Sequence, residues 1–185
     1  MAERAALDAA SLPALTRTCS VVFTDTADFT VRTKRFGILH FLMAFDRAVA
    51  ALGPAVRAAG GTMVKVEGDS MLLSFADARA ACAGVRAFDS ALRRFNRAQP
   101  EDERFRFSYG IGYGALVEVE GDLFGLELNL ASKLGEDLAR PGEALLTPSA
   151  ALALGPADRR RLAPYRSISF KGITVPVRRL RLRRR

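Results

Sequence analysis

The sequence predicts an α+β domain with a ferredoxin-like βαββαβ core and a C-terminal α/β extension. Three observations predict it. Apolar periodicities run in the order strand, helix, hairpin, helix, strand. The hairpin carries its own turn residues, Glu67-Gly68-Asp69-Ser70. Both helical stretches are long and one-sided, which suits two helices packed on one face of an antiparallel sheet.

Each element has a local reason. Thr18 to Thr24 is β-branched and apolar and reads as a buried strand. Phe36 to Ala59 places Phe41, Phe45, Val49, Leu52 and Val56 at helical spacing, and Gly60-Gly61 stops it. Thr62 to Val66 and Met71 to Phe75 are the two arms of the hairpin. Asp77 to Asn96 is a second amphipathic helix with Asp77 as its N-cap. Phe105 to Ile111 is the fourth core strand and leads into a glycine-punctuated segment, Gly110 to Gly125. The extension holds a helix from Leu126 to Ala139, a strand from Ala144 to Thr147, and late strands near Ser167 to Phe170 and Val175 to Leu182. Residues 1–17 are expected to be an N-terminal extension and 18–185 a single domain.

Composition bounds the function. With 185 residues and 49% apolar content, the chain can bury a core of ordinary size. The longest apolar run, Phe36 to Phe45, is broken by His40 and falls short of the roughly 18 residues of a membrane span. The first residues carry acid early and lack the apolar core of a signal peptide. Two cysteines with no redox or metal spacing point to a reducing compartment, so a cytoplasmic location is expected. One histidine argues against a Ser-His-Asp triad or a zinc centre. The net charge of +8 comes almost wholly from arginine, since only Lys34, Lys65, Lys133 and Lys171 are lysines. The arginine-rich end from Arg178 to Arg185 has no interleaved aromatics, and a solvated terminal strand is preferred over a nucleic-acid surface.

Two strand ends carry the chemistry. Phe23-Thr24-Asp25-Thr26-Ala27-Asp28-Phe29-Thr30 and Lys65-Val66-Glu67-Gly68-Asp69 each stop at a carboxylate. In a ferredoxin-like sheet the first strand lies beside the third, so Asp25 and Asp69 become neighbours. Carboxylate pairs of this kind hold hard divalent cations, whose remaining ligands a nucleoside triphosphate can supply. Singly, each residue has a plain structural reading: Asp25 as a helix cap, Asp69 as a turn residue, Lys65 as an edge lysine, Asn129 as a surface polar group.

Four segments, in order along nearly the whole chain from Cys19 to Leu182, resemble the class III nucleotidyl cyclase catalytic domain. Phe23 to Thr30 is similar to that family's F-x-D-x-x-x-F-T. Lys65 to Asp69 is similar to K-x-x-G-D, and Asp122 to Lys133 to D-x-x-G-x-x-x-N-x-A-x-R. Phe170-Lys171-Gly172 resembles a late K-G. The resemblance implies two Mg²⁺ or Mn²⁺ ions at a metal site of Asp25, Asp69 and Thr26. It implies phosphate contacts from the turn Ala27, Asp28, Phe29 and Thr30 and from Lys171. Lys65 and Asp122 would contact the base, Asn129 the ribose, and Lys133 the α-phosphate. It further implies a homodimer, in which one copy lends the metal carboxylates and the other the recognition residues.

Lys65 donates only and an ionised Asp122 accepts only. Together they suit a ring-nitrogen acceptor beside an exocyclic amino group, an edge that adenine and cytosine share. ATP is the expected substrate, with CTP disfavoured by ring size alone. Two departures from the family pattern stand out. Lys133 occupies its arginine position, and Ala115 to Gly121 is too brief for the usual dimer-clasping arm. A cyclase-fold module that binds nucleotide without turnover is therefore the alternative, and a basic nucleic-acid binder a third.

Overall fold

The computed structural model describes residues 12–165, 167–170 and 173–182. Its centre is an antiparallel four-strand core: β1 (Thr16–Thr26), β2 (Gly61–Glu67), β3 (Ser70–Phe75) and β4 (Phe107–Val119). β1 pairs antiparallel with both β3 and β4, giving the order β2-β3-β1-β4 expected of the ferredoxin-like arrangement. β5 (Asp122–Phe124) folds back on the end of β4, and β6 (Ala144–Leu146) extends the sheet in parallel with β4. β7 (Ala163–Pro164) closes the far edge through β10 (Arg178–Leu180). β8 (Ile168–Phe170) and β9 (Ile173–Val175) pair antiparallel as a separate two-stranded sheet.

The helices are α1 (Phe29–Phe36), α2 (Ile38–Ala58), α3 (Ala78–Arg97), α4 (Leu126–Lys133), α5 (Pro148–Ala153) and α6 (Pro156–Arg159). One sheet face is covered by α2 and α3. There Phe41, Phe45, Phe88, Phe105, Phe107 and Tyr109 form a chain of ring contacts, including edge-on pairs such as Phe88–Phe107 at 5.4 Å. Each buried aromatic contributes about 1.5–3 kcal/mol through desolvation alone. The opposite face holds a smaller core of Cys19, Val21, Leu72, Leu116, Leu123 and Ala131, and it is α4 that covers it.

Differences from the expected elements have physical causes. The long helix starts at Ile38 rather than Phe36, and an additional helix, α1, precedes it across Gly37, whose φ of 91° glycine adopts freely. β4 continues through Gly110, Gly112 and Gly114 rather than ending at Ile111. Those glycines alternate along one face, where the backbone of α4 lies directly on the sheet. A Cβ at Gly110 would stand 1.8 Å from the Ala131 carbonyl oxygen. Helix α4 ends at Lys133 and widens into a single π-helical turn, Leu134–Leu138, closed by the Ala139 amide donating to the Leu134 carbonyl at 2.8 Å, instead of continuing as α-helix to Ala139. The last expected strand is shorter, and α5, α6 and β7 are additions. Asp77 caps α3 as expected, its carboxylate accepting from the Ala80 amide at 2.8 Å.

Contrary to the expectation from its apolar run, helix α2, with 21 residues and a window of mean hydropathy 1.3, is long and apolar enough by length and composition to cross a membrane. The reason is that alanines carry the apolar character past Asp46 and Arg47. Its inner face, Phe41, Ala44, Phe45, Ala48, Leu52 and Val56, is the centre of the main core.

Candidate active site

The ends of β1 and β3 are adjacent because Thr24 pairs with Met71. That register carries Asp25 and Asp69 to neighbouring positions. Ser70 Oγ donates to Asp25 Oδ1 at 3.3 Å, and Thr26 Oγ1 donates to Asp69 Oδ2 at 2.6 Å. The carboxylates are thus fixed crosswise, each by a hydroxyl from the other's strand or turn. Burial pushes Asp25 up to about 6, and the negative charge of Asp69 adds to it, while the Ser70 hydrogen bond opposes both. Glu136 and Asp137, in the turn after α4, contribute further negative charge.

This mutual repulsion is what a hard divalent cation would relieve, and two oxygen donors this close suit one. Among the described residues no group of three or more metal-ligating side chains is gathered. Of the described acidic side chains, Asp25 and Asp69 are the two that an ion here would draw on. Since protons compete with the metal at Asp25, Mn²⁺ affinity is expected to fall as pH drops through about 6. Calorimetric titration between pH 5 and 8 checks this.

The sign for stability is the reverse. A carboxyl raised from 3.8 to about 6 contributes stability present below its unfolded value and lost as pH rises through the folded one. Metal-free Asp25→Asn is therefore expected to gain on wild type in melting temperature as pH rises from 4 to about 6, then hold its advantage.

The turn Ala27 to Thr30 leads from Asp25 into α1. Asp28 occupies the N-cap position with φ 66°, a left-handed conformation that aspartate tolerates better than most residues. Its side chain caps nothing and instead pairs with Arg106 at 2.6 Å. The Ala27 amide donates to the Arg106 carbonyl at 2.9 Å, so it is engaged. The amides of Asp28, Phe29 and Thr30 at the helix start are the ones left to face an anion. Phe29 turns its ring inward, edge-on to Phe41 at 4.9 Å.

A second cluster lies on the α4 face. Lys65 Nζ meets Asp122 Oδ2 at 2.7 Å and Glu67 Oε2 at 3.5 Å, joining β2 to β5. The Lys65 hydrogen bond holds Asp122 below the usual carboxylate range, so it is an acceptor at neutral pH. Asn129 is exposed on α4, and Lys133 follows one turn later on the same face. Lys133 is ion-paired with Asp137. Lys171 lies outside the described residues. The β4–β5 connection is a tight hairpin at Glu120 and Gly121, as short as expected.

Three participants had not been expected. Ser70 and Arg106 have no signal in the sequence beyond proximity to Asp69 or a strand start. Asp137, four residues beyond Lys133, has the spacing of a helical ion pair.

No protein-family model matches the chain. An uncharacterized protein of Mycobacterium tuberculosis is 30% identical over 172 residues, covering 86% of this chain. The chain spans 40% of that relative's length. The adenylate/guanylate cyclase/hydrolase of Silicibacter pomeroyi superposes with a TM-score of 0.74 at 24% identity, over 89% of this chain and 96% of that one. The adenylyl cyclase CyaB of P. aeruginosa gives a TM-score of 0.71 at 21% identity, over 92% and 97%. The chain has the fold of the class III adenylate/guanylate cyclase catalytic domain. That bears out the family resemblance at the level of architecture.

Proposed function

We propose that this protein is a nucleotidyl cyclase that converts ATP to 3′,5′-cyclic AMP and pyrophosphate at a site shared between two copies of the chain. The observation that carries the reading is the crosswise-tied pair Asp25 and Asp69 beside the uncapped start of α1. The ribose 3′-oxygen bonds to the α-phosphorus, the bond from that phosphorus to the bridging oxygen of the β-phosphate breaks, and the hydroxyl proton leaves to solvent. Two Mg²⁺ or Mn²⁺ ions held by Asp25 and Asp69, when bound, supply Lewis-acid activation of the hydroxyl and charge neutralisation of the phosphates.

The chain's own residues do the rest. Amides of Asp28, Phe29 and Thr30 hold phosphate oxygens, and Lys171 approaches the triphosphate. Lys65 and Asp122 exchange part of their mutual pairing for the adenine edge, with Lys65 donating to the ring nitrogen and Asp122 accepting from the amino group. Asn129 orients the ribose, and Lys133 faces charge developing on the α-phosphate. Exposed Val66, Val119, Phe124 and Leu126 flank the Lys65–Asp122 pair, an apolar rim that a second copy would cover. The compartment expected from the thiols is the cytosol.

Purified protein incubated with each of ATP, CTP, GTP and UTP and Mn²⁺ tests the reading, with cyclic AMP as the dominant product. ATP binding without any cyclic product would leave the silent nucleotide-binding module instead. That second reading is favoured by one observation, the Lys133–Asp137 pair, which occupies the cation meant for the α-phosphate.

Lysine at this position keeps the charge but lacks the planar fork that grips two phosphate oxygens. Turnover is expected to be slowed by one to three orders of magnitude relative to arginine, about 1.4 to 4 kcal/mol of barrier. Lys133→Arg is accordingly expected to raise kcat about tenfold or more with little change in KM. An unchanged kcat would remove this account of the substitution.

A further inference from the structure

We propose that the outward ridge of α1 and α2 is a docking surface for an anionic lipid bilayer. The ridge begins one residue beyond the turn assigned to phosphate at the start of α1, but its argument does not rest on the function proposed for that turn. Val31, Phe36, Ile38, Leu39, Leu42 and Met43 are all exposed, Leu39 by 74% and Met43 by 64%. Single exposed leucines are ordinary, but six large apolar side chains within thirteen residues form a continuous patch.

The spacing explains the shape. Ile38, Leu39, Leu42 and Met43 lie on one side of α2, while Phe41, Ala44 and Phe45 face the core from the other. The first turns of this helix are therefore apolar on both faces. The outward face becomes polar again at Asp46 and Arg47.

Charge selects the occupant. No acidic residue occurs between Asp28 and Asp46, whereas Arg32, Lys34 and Arg35 do, with Lys34 and Arg35 exposed beside the apolar ridge. Two of the three acids of the adjoining turn are engaged locally, Glu103 with Arg47 at 2.6 Å and Asp102 at 3.3 Å from His40, while Glu101 is exposed, so among the described residues three basic side chains face one free acid. A symmetric contact between two copies of this ridge would bring like charges together. A protruding apolar strip flanked by cations matches instead the headgroup boundary of an anionic membrane, where leucine and methionine enter the acyl layer and lysine and arginine meet phosphate.

The test is co-sedimentation of the intact chain with phosphatidylglycerol/phosphatidylcholine vesicles and with phosphatidylcholine alone. Binding to the anionic vesicles and little to the neutral ones is expected. Leu39→Glu with Met43→Glu should lower the partition coefficient on the order of 100-fold. Lys34→Gln with Arg35→Gln should lower it about 30-fold. All four residues are solvent-facing, so circular dichroism is expected to be unchanged. Glutamine at Arg183, Arg184 and Arg185 serves as the control for the basic end of the chain and should leave most binding in place. Absence of vesicle binding overturns the proposal. So does binding that survives the Leu39/Met43 changes but is lost with the terminal arginines, or a ridge that instead captures an acidic protein while ignoring vesicles.

Discussion

Asp69→Ala is expected to lower cyclic AMP formation by at least about 1,000-fold while leaving the protein folded. The loss corresponds to about 4 kcal/mol of barrier, within what a metal-binding carboxylate supplies. Asp69 sits in the β2–β3 turn and its side chain reaches the buried Thr26 hydroxyl, so its removal disturbs one buried polar group and none of the apolar core. Two local effects oppose each other in stability. Thr26 loses an acceptor, and Asp25 is relieved of a like charge pressing on it. The melting temperature should consequently move by only a few degrees. Asp25→Asn should match the loss of activity, because it removes the other half of the donor pair. Rapid-quench measurement of cyclic product, paired with Mn²⁺ titration, separates the cases. Either variant retaining activity within tenfold of wild type, with undiminished Mn²⁺ affinity, would show that these carboxylates are only a turn and its neighbour.

Asp25 and Asp69 are legible in the sequence because both follow from a single topological rule. Once strand one lies beside strand three, carboxylates at their ends have nowhere else to be, and the register Thr24 to Met71 delivers them. Lys65 and Asp122 are legible through the family motif, not through periodicity, since nothing local indicates that β5 would fold back to meet β2. The β4 glycines are harder to read. Their alternation has the period of a strand, yet glycine's low strand propensity makes it look like punctuation; the reason for them lies in α4, far along the chain. The π-helical turn and the Lys133–Asp137 pair are similar cases, decided by how the end of α4 abuts β1. Gly135 there would put a Cβ 3.1 Å from the Phe23 carbonyl oxygen. Short α5 and α6 lack enough turns to show a periodicity at all. Contacts between elements distant in the chain leave little trace in a local pattern, and the recognition half of the site depends on them.

Among the described glycines, Gly110 is where an added methyl is expected to do most damage, in Gly110→Ala. The added Cβ would lie 1.8 Å from the Ala131 carbonyl oxygen, 2.8 Å from its carbon and 2.8 Å from the Gly135 amide nitrogen. These are backbone atoms and cannot rotate aside, so α4 must move as a body or β4 must bend. Overpacking of this kind costs about 1–3 kcal/mol and more when the backbone is the obstacle. Because α4 carries Asn129 and Lys133, a displacement near 1 Å would cost about 100-fold in turnover even in the fraction that stays folded. Two neighbours on the same face provide an internal scale. At Gly112 the new Cβ would meet the Glu127 carbonyl oxygen at 2.5 Å, again backbone. At Gly114 it would meet Glu127 Cγ at 2.9 Å, a side-chain atom whose carboxylate is held by Thr147 Oγ1 at 2.7 Å and the Tyr113 amide at 3.2 Å, so relief there costs those hydrogen bonds but no backbone movement. Stability and kcat should therefore fall most for Gly110→Ala, then Gly112→Ala, and least for Gly114→Ala. Thermal denaturation and cyclase assays on the three variants check the ranking. Equal tolerance at Gly110 and Gly114 would mean that α4 does not rest on the sheet as closely as the backbone contacts require, and the positions assigned to Asn129 and Lys133 would go with it.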